Sequence, residues 1–511
     1  MTDERKTNLA GVTLANEPDE LLTLDEAAEY LSVSKPTLYR MLDRGEVKGA
    51  KVGRQWRFRQ TDLSNYLERG PVAVALSTVP LQVLDTELDF FAGALRAIHA
   101  ALPVIDVGEL DQWEQKTTLL LASIAKLAAV SKASDIHLEP VKEGKELIGL
   151  LRFRTDGMLQ IVRRMPVRLL EALALRCRQL ADMGTQDRGA FFDDHIRLQD
   201  GEDTMDLRVS ILPGFLGESL ECRLLVNTPT EALTLENMGF FPEDLSVVRD
   251  WLRGGGLILT TGPTGCGKTT VMYALLQEIA GPDKCTVSIE DPIEYQLPWV
   301  TQLAAGKGVG FASALRAFLR HDPDAILIGE MRDLETMDLA IHAAVTGHLV
   351  FTSVHVENTL RTMERIVDVF PLEQQDQIAL LLASTLKGII SMRLVRSLCP
   401  HCKQPAPPSN AVMAQAWQLA ENGGYTIPDG ALFHQAVGCE HCRGRGFQGR
   451  TAIYEVLEPT PELRESFLRK VPFDGLLPIA VKNGLRTLTA NGIRKAVEGV
   501  TTIEEVLRQL M

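Results

Sequence analysis

Residues 257–270 read LILTTGPTGCGKTT, and this segment decides the fold. The apolar run Leu257–Thr261 predicts a short buried strand, and the residues from about Thr270 onward predict a helix. Between them, residues 262–269 fit the pattern G-x-x-x-x-G-K-[ST], in which glycines let backbone N–H groups close around phosphate oxygens. The helix N-terminus adds partial positive charge at the same place. The segment therefore predicts a strand, a phosphate-binding loop and a helix.

The chemistry of this loop predicts a nucleotide and a metal ion as its ligands. We expect Lys268 to reach the β- and γ-phosphates of ATP and the Thr269 hydroxyl to ligate Mg²⁺. Cys266 occupies a position that needs a small side chain, and we expect no redox role for it. The predicted nucleotide-binding residues of this segment are Gly262, Pro263, Thr264, Gly265, Cys266, Gly267, Lys268, Thr269 and Thr270.

Three later apolar runs predict further strands of the same sheet, at Thr286–Ile289, Ala325–Ile328 and Leu349–Thr352. They alternate with helical segments, a pattern typical of a parallel sheet covered by helices on both faces. Because ligands of such sheets bind at the carboxyl ends of the strands, the residues that follow each run are candidates for the site.

Acidic residues and one histidine stand at these positions. Glu330 is our predicted catalytic glutamate, since hydrolysis needs a carboxylate to orient water. We expect His355 to sense the γ-phosphate or to polarise water. The alternatives are surface carboxylates at the loop mouths and a histidine satisfied within the core. The acids expected to assist at Mg²⁺ or at the water are Glu290, Asp291 and Glu294.

The chain upstream of the loop divides into segments of different composition. Residues 1–20 are polar and aperiodic and predict a tail, and residues 71–112 predict a linker in which helical patterns resume. Residues 113–230 combine helices, a hairpin that turns at Asp156-Gly157 and further strands, which predicts a compact α+β domain. The fold class predicted for the whole chain is multidomain α/β.

Residues 21–70 predict a small helical module with a β-hairpin. Thr23 and Glu26 form a capping box before one short helix, and Ser34 caps a second. Two runs of alternating residues flank Gly53-Arg54 as a hairpin behind the second helix. This order of elements resembles the excisionase-type winged helix-turn-helix.

The same module carries a local positive charge. Eight basic and two acidic residues lie between Lys35 and Arg59, which is the pattern expected for contacts with the phosphates of DNA. The alternative is that the fold docks a protein, since fold does not decide function. The candidate DNA-contacting residues are Lys35, Thr37, Tyr39, Arg40, Arg44, Arg54, Arg57 and Arg59.

Two Cys-x-x-Cys pairs lie within residues 395–455. Cys399 with Cys402 and Cys439 with Cys442 have the spacing of two zinc knuckles and together supply four thiolates. We therefore expect a structural Zn²⁺ site, since four sulfur ligands leave no coordination position open for catalysis. The alternative is four reduced thiols without metal.

Composition limits the classes of protein that fit. The 511 residues are 45% apolar, which is enough for several packed cores and argues against a disordered or fibrous chain. A net charge of −14 argues against a surface generally coated by polyanion. The longest apolar stretches are shorter than the roughly 18 residues of a membrane span, and the first 20 residues lack a signal-peptide pattern. We therefore expect a soluble protein of the cytoplasm.

Five motifs in order resemble the secretion ATPase superfamily, which drives type II secretion and type IV pilus assembly. Beside the phosphate loop, they are ASDIHLEP at 133–140, SIEDPIEY at 288–295, IGEMRD at 328–333, and TGHLV at 346–350 with His355. The resemblance covers residues 113–511. It implies a sensor-like α+β domain followed by a RecA-like motor domain over residues 231–511.

The resemblance also implies partners and roles for two arginines. Family members form homo-hexamers that work peripherally at the inner membrane with a platform protein and a cytoplasmic adaptor. Arg208 and Arg223 fall where the family places arginines that reach a nucleotide across the subunit boundary, and structural ion pairing is the alternative. An ATP-responsive DNA-binding regulator and a nucleic-acid translocase are the competing functions.

Overall fold

The structure is a computed structural model that describes residues 21–31, 33–43, 47, 49–52, 55–60, 63, 79–105, 110–181, 191–201, 203–225, 233–306 and 308–510. Contacts divide the chain into two units, residues 1–226 and residues 227–511. Arg44 and Arg54, two of the DNA-contact candidates, lie outside the described residues, as does the side chain of Arg40.

The first unit begins with a small module of two helices and three strands. Its elements are β1 (Leu21–Thr23), α1 (Leu24–Tyr30), α2 (Lys35–Asp43), β2 (Ala50–Val52) and β3 (Gln55–Arg59). The capping box of Thr23 and Glu26 forms before α1, and the Ser34 hydroxyl accepts a hydrogen bond from the Thr37 backbone N–H. The hairpin β2–β3 forms as expected, and β1 adds a third antiparallel strand that the sequence did not indicate. Phe58 is fully buried between the helices.

The rest of the first unit is an antiparallel sheet packed on helices. Its elements are α3 (Leu81–Ala97), α4 (Gln112–Val130), β4 (Ala133–Glu143), β5 (Glu146–Thr155), β6 (Met158–Pro166), α5 (Val167–Leu180), β7 (Phe192–Asp200), β8 (Asp203–Gly214) and β9 (Gly217–Leu225). The strand order is β6-β5-β4-β9-β8-β7. Leu84 and Phe91 of α3 are buried in the same core as the sheet, so part of the expected linker is a packed helix.

The second unit is built on a seven-stranded sheet. Its elements up to the central strands are α6 (Pro242–Trp251), β10 (Gly256–Thr261), α7 (Lys268–Ile279), β11 (Thr286–Glu290), β12 (Val300–Ala304), α8 (Phe311–Phe318), β13 (Ala325–Ile328), α9 (Leu334–Val345), β14 (Leu349–Val354), α10 (Thr359–Asp368), α11 (Leu372–Thr385) and β15 (Leu386–Leu398). Those that follow are β16 (Gln404–Pro405), α12 (Asn410–Asn422), β17 (His434–Gln435), β18 (Phe447–Leu457), α13 (Pro461–Leu468), α14 (Phe473–Lys482), α15 (Leu488–Val497) and α16 (Ile503–Leu510).

The order of strands in this sheet is β12-β11-β13-β14-β10-β15-β18. All neighbours pair in parallel except β15 with β18, which is antiparallel. Leu257 and Leu259 face one core and Ile258 faces another, so helices cover both faces as predicted. The four predicted strands form, and β12, β15 and β18 are additional. Because β10 lies next to β14, the loop after β10 meets the ends of β13 and β14.

Candidate active site

The phosphate loop begins where the fully buried strand β10 ends. Gly262, Gly265 and Gly267 all have positive φ angles, of 139°, 74° and 98°, a backbone conformation that favours glycine. A Cβ at Gly262 would lie 2.6 Å from the carbonyl oxygen of Met392, so a side chain does not fit there. Gly267 caps α7 in the left-handed conformation, and the helix therefore starts at Lys268, two residues before the predicted start.

Lys268 is the buried cation of the loop. Its Nζ donates hydrogen bonds to the carbonyl oxygens of Gly262, at 2.8 Å, and of Pro263, at 3.0 Å. Burial lowers the pKa of Lys268, with a smaller opposing effect from the nearby Cys266 and Glu330. The Cys266 thiol is 4% exposed, and burial raises its pKa. Pro263, Thr264 and Gly265 are exposed, while Thr269 and Thr270 are half-buried in the first turn of α7.

Glu330, His355 and Lys268 come together from three separate segments. The Nδ1 of His355 lies 3.4 Å from Lys268 Nζ, and its Nε2 lies 3.3 Å from a carboxylate oxygen of Glu330. Because an ammonium only donates, Nδ1 accepts the Lys268 hydrogen bond and Nε2 carries the proton donated to Glu330. Arg332 forms an ion pair with the other carboxylate oxygen of Glu330. The hydrogen bond that Arg332 donates to this carboxylate raises the pKa of Arg332. A carboxylate is thus held beside the phosphate loop.

Ser353 of β14 fixes the backbone on both sides of Glu330. Its hydroxyl donates to the carbonyl oxygen of Gly329 at 2.7 Å, and its own carbonyl accepts from the Met331 N–H at 3.1 Å. Ser353 stands two residues before His355, which directly follows the last residue of β14. The positions of Glu330 and His355 are therefore coupled through two neighbouring strands.

Glu290 occupies a different environment from that of Glu330. It is 2% exposed at the end of β11, and its carboxylate accepts hydrogen bonds from Ser288, at 2.5 Å, from Gln302, at 3.2 Å, and from the hydroxyl of Tyr273. Burial, with the Glu290 carboxylate beside it, raises the pKa of Tyr273 well above its usual range. A direct contact of Glu290 with Mg²⁺ would require it to give up some of these partners. Asp291 and Glu294 are exposed on the segment that follows.

Arg208 and Arg223 lie side by side in the first unit. The register of the sheet pairs Arg208 of β8 with Arg223 of β9, and Arg223 with Asp135 of β4. Arg223 binds Asp135 at 2.9 Å, and Arg208 binds Asp193 through two hydrogen bonds of 3.0 and 2.7 Å. The Arg208 hydrogen bond lowers the pKa of Asp193. Both arginines therefore have acidic partners within their own chain.

The four paired cysteines form one cluster, with all sulfur atoms within 4.8 Å of one another. Backbone N–H groups of Gly438, Cys439 and Gly446 donate to the sulfur atoms of Cys402 or Cys442. Desolvation opposes ionisation of Cys442, but hydrogen bonds from backbone and thiol groups outweigh it and lower its pKa to about 6. Four such donors fit a tetrahedral Zn²⁺. His401 and His441 stack on each other and are exposed.

Several of the described candidates on the helix-turn-helix bond to residues of their own module. Lys35 forms an ion pair with Asp25 at 2.6 Å, and Arg57 donates to Gln55 and to the Trp56 carbonyl oxygen. Tyr39 and Arg59 are exposed, and Thr37 is half-buried and bonded to Ser34.

Sequence reasoning missed three side chains that surround the site. Arg332 stands two residues after Glu330 on the segment that follows β13 and forms an ion pair with it; this short spacing was the available signal. Tyr273 of α7 binds the Glu290 carboxylate, and Arg393 of β15 lies beside Gly262 of the phosphate loop. Their roles depend on strand order, which the sequence does not reveal.

Two family profiles and several known proteins match this chain. A family profile described as Type II/IV secretion system protein matches residues 111–508, and one described as Helix-turn-helix domain matches residues 21–71. The chain is 36% identical over 396 residues to type II secretion system protein E of Pectobacterium carotovorum subsp. carotovorum, covering 76% of this chain and 74% of that protein.

Two further relatives are a pilus ATPase and a solved pilus motor. Type IV pilus assembly ATPase PilB of Thermus thermophilus is 35% identical over 402 residues, which are 78% of this chain but only 43% of that protein. A crystal structure of the pilus retraction motor PilT with bound ADP is 28% identical, with a TM-score of 0.50, and covers 78% of this chain and 97% of that one.

Fold and site together define a P-loop ATPase motor of the secretion and pilus class. The chain belongs to the type II/IV secretion system protein family and carries a helix-turn-helix domain at its N-terminal end. The predicted resemblance and the multidomain α/β fold class are confirmed. None of the helices in the described ranges is both long and apolar enough to span a bilayer.

Proposed function

We propose that this ATPase hydrolyses ATP with Mg²⁺ at the edge formed by β10, β13 and β14, as the motor of a type II secretion or type IV pilus machine. The observation that carries the proposal is the contact series from Lys268 through His355 to Glu330, beside the phosphate loop. Lys268 binds phosphate, and Thr269 is the Mg²⁺ ligand. Glu330 orients the attacking water and His355 holds the carboxylate in place.

The test is the variant Glu330→Gln. It keeps the shape of the side chain but removes the carboxylate, so ATP binding is retained while turnover falls by roughly 10²-fold or more. Glu465→Gln, which alters an exposed ion pair on α13, is the matched control and keeps wild-type turnover. Measured hydrolysis near the wild-type rate in Glu330→Gln would remove the assignment.

The ring is the second part of the proposal. A homo-hexamer would bring Arg208 and Arg223 of one subunit to the nucleotide of its neighbour, where they would neutralise charge on the γ-phosphate. Within a single chain, Asp193 binds the guanidinium group of Arg208 and Asp135 binds that of Arg223, and the two arginines lie on the adjacent strands β8 and β9. We propose an inner-membrane platform protein and a cytoplasmic adaptor as partners, with the motor peripheral at that membrane.

We propose that Cys399, Cys402, Cys439 and Cys442 hold a structural Zn²⁺. The support is the cluster of four sulfur atoms and the N–H groups directed at them. Metal analysis is expected to find one zinc per chain in the wild type and in Cys285→Ser, whose exposed thiol lies outside the cluster. Cys439→Ser loses the metal and melts roughly 5 °C lower or more. Equal zinc content in all three proteins would contradict the assignment.

DNA binding by residues 21–70 is a second candidate function, and the match of this segment to a helix-turn-helix profile favours it. Gel-shift binding that is lost in Arg40→Ala and Arg57→Ala would support a DNA-binding regulator or a nucleic-acid translocase. Pull-down of a polytopic platform protein by the same module, without DNA binding, would instead make it a docking domain.

A further inference from the structure

Arg393 lies against the first residue of the phosphate loop. The strand β15 runs parallel to β10 with Thr261 opposite Ser391, so the residues after Ser391 stand level with the start of the loop. A Cβ at Gly262 would lie 3.0 Å from Arg393 Nη1. The guanidinium group is thus beside the backbone that would surround a phosphate.

Arg393 makes no direct ion pair with an acid among the described residues, although Glu357 and Glu455 lie close enough to favour its charged form. Its Nη1 donates to the Met392 carbonyl oxygen at 2.9 Å and its Nη2 to the Glu357 carbonyl oxygen at 3.1 Å. Both acceptors are neutral, and none of the ion pairs between described residues involves Arg393. Arg396, on the same strand, binds the Glu505 carboxylate at 2.7 Å. A guanidinium has five N–H donors, so Arg393 retains donors for another acceptor.

Burial makes this arrangement unfavourable without an anion. Desolvation lowers the pKa of Arg393 and outweighs the opposing effect of Cys266, Glu455 and Glu357. The proximity of Arg393 also makes a small contribution to lowering the pKa of Lys268. Two partly buried cations at one loop repel each other, and a phosphate group between them relieves both the repulsion and the loss of hydration.

We infer that Arg393 is a second phosphate-binding cation of the nucleotide site, acting together with Lys268 beside Gly262, the first residue of the loop. The inference rests on the proposed nucleotide binding at residues 262–269. It assigns β15, beyond its place in the sheet, a direct part in holding the ligand.

The test measures the affinity of the full chain for ADP and for inorganic pyrophosphate by calorimetry. Arg393→Gln is expected to bind both roughly tenfold to hundredfold more weakly, which is the effect of losing one charge-assisted hydrogen-bonding group. Its thermal midpoint without nucleotide is expected to be unchanged or higher. The matched control Arg396→Gln keeps wild-type affinity for both ligands.

Three outcomes overturn the inference: wild-type affinity in Arg393→Gln, an equal loss in Arg396→Gln, or weaker ADP binding with pyrophosphate binding unchanged. If Arg393→Gln does not fold, the variant Arg393→Lys is measured instead, because it keeps the positive charge but lacks the paired N–H donors of the guanidinium group. Severalfold weaker binding of ADP and pyrophosphate by Arg393→Lys supports the inference, and wild-type binding overturns it. Lys268→Ala separates the two proposals. If Lys268→Ala binds ADP with wild-type affinity, the proposed nucleotide site itself is wrong. If Lys268→Ala loses ADP binding while Arg393→Gln binds ADP with wild-type affinity, only the role of Arg393 is wrong.

Discussion

At the scale of single residues, His355 connects the lysine of the phosphate loop to Glu330. It accepts from Lys268 through one ring nitrogen and donates to Glu330 through the other, so a neutral imidazole separates the cation from the carboxylate. Without it, Lys268 and Glu330 would be free to pair directly, and the carboxylate would be less available to water. The alternative of a core histidine does not describe this residue, since half of its side chain is exposed.

Lys495 provides a residue-scale prediction about pH. It is 2% exposed, and its ammonium donates to the carbonyl oxygens of Gly239 and Ala452 and to the Thr451 hydroxyl. Burial lowers its pKa to about 8, below the value of about 10.4 for an unfolded chain. Between these values the unfolded state binds more protons, so stability rises with pH.

The expected gain for the wild type is about 2 kcal/mol from about pH 8 to about pH 10, and Lys495→Met lacks it. The measurement is the thermal midpoint of both proteins across this range. Below about pH 8 the penalty of burying the charge is fully present, so the difference between the proteins is constant there. Parallel curves above that pH would contradict the assignment.

At the scale of elements, the hydrogen bonds between Ser353 of β14 and the segment after β13 hold the backbone of Glu330, the proposed catalytic residue. Ser353→Ala removes the hydrogen bond to Gly329, so Glu330 is held less precisely and kcat falls by about tenfold, with little change in KM for ATP. Steady-state kinetics of Thr352→Val provide the control.

Thr352 is the neighbouring residue, and its buried hydroxyl has no hydrogen-bond partner within the described part of the chain. Its replacement by valine therefore leaves kcat within about twofold. A Ser353→Ala enzyme with wild-type kcat, or two variants with equal losses, would show that the linkage does not position Glu330.

Residues in local motifs could be predicted from the sequence, whereas contacts that depend on the order of strands could not. The loop, the strand ends and the cysteine pairs carry chemistry at fixed spacing, so Lys268, Glu330 and Cys399 could be named from the sequence. The order of strands arises from long-range pairing, which local patterns do not contain. For that reason the sequence did not indicate that β15 brings Arg393 to the loop, or that Tyr273 of α7 binds Glu290.

At the scale of the whole molecule, the proposed ring predicts complementation between inactive variants. Each proposed site combines Glu330 of one subunit with Arg208 of the next, a heterologous contact that closes a ring. Arg208→Ala and Glu330→Gln are each expected to be inactive alone. Mixed and reassembled, they form about a quarter of their interfaces from an intact Glu330 and an intact Arg208.

ATP hydrolysis by the mixture, measured after exchange of subunits, is therefore expected to exceed that of either variant severalfold. If Arg208 serves only its ion pair with Asp193 inside one chain, mixing restores nothing. An equimolar mixture of wild-type protein with the double variant Arg208→Ala and Glu330→Gln controls for exchange. Because the double variant lacks both residues, exchange of subunits lowers the fraction of intact sites from about a half to about a quarter, and the rate falls below that of simple dilution.

The bonds of Ser353 to both neighbours of Glu330 bear on how such a machine changes shape. The side chain and the main chain of Ser353 join the ends of two parallel strands at one point, so the backbone on both sides of Glu330 is expected to move together with the backbone of Ser353. We therefore expect residues 329–331 and Ser353 to move as one rigid body during the ATPase cycle. Structures determined at successive steps of the ATPase cycle should then superpose closely over residues 329–331 and Ser353, and conformational changes should arise in other segments.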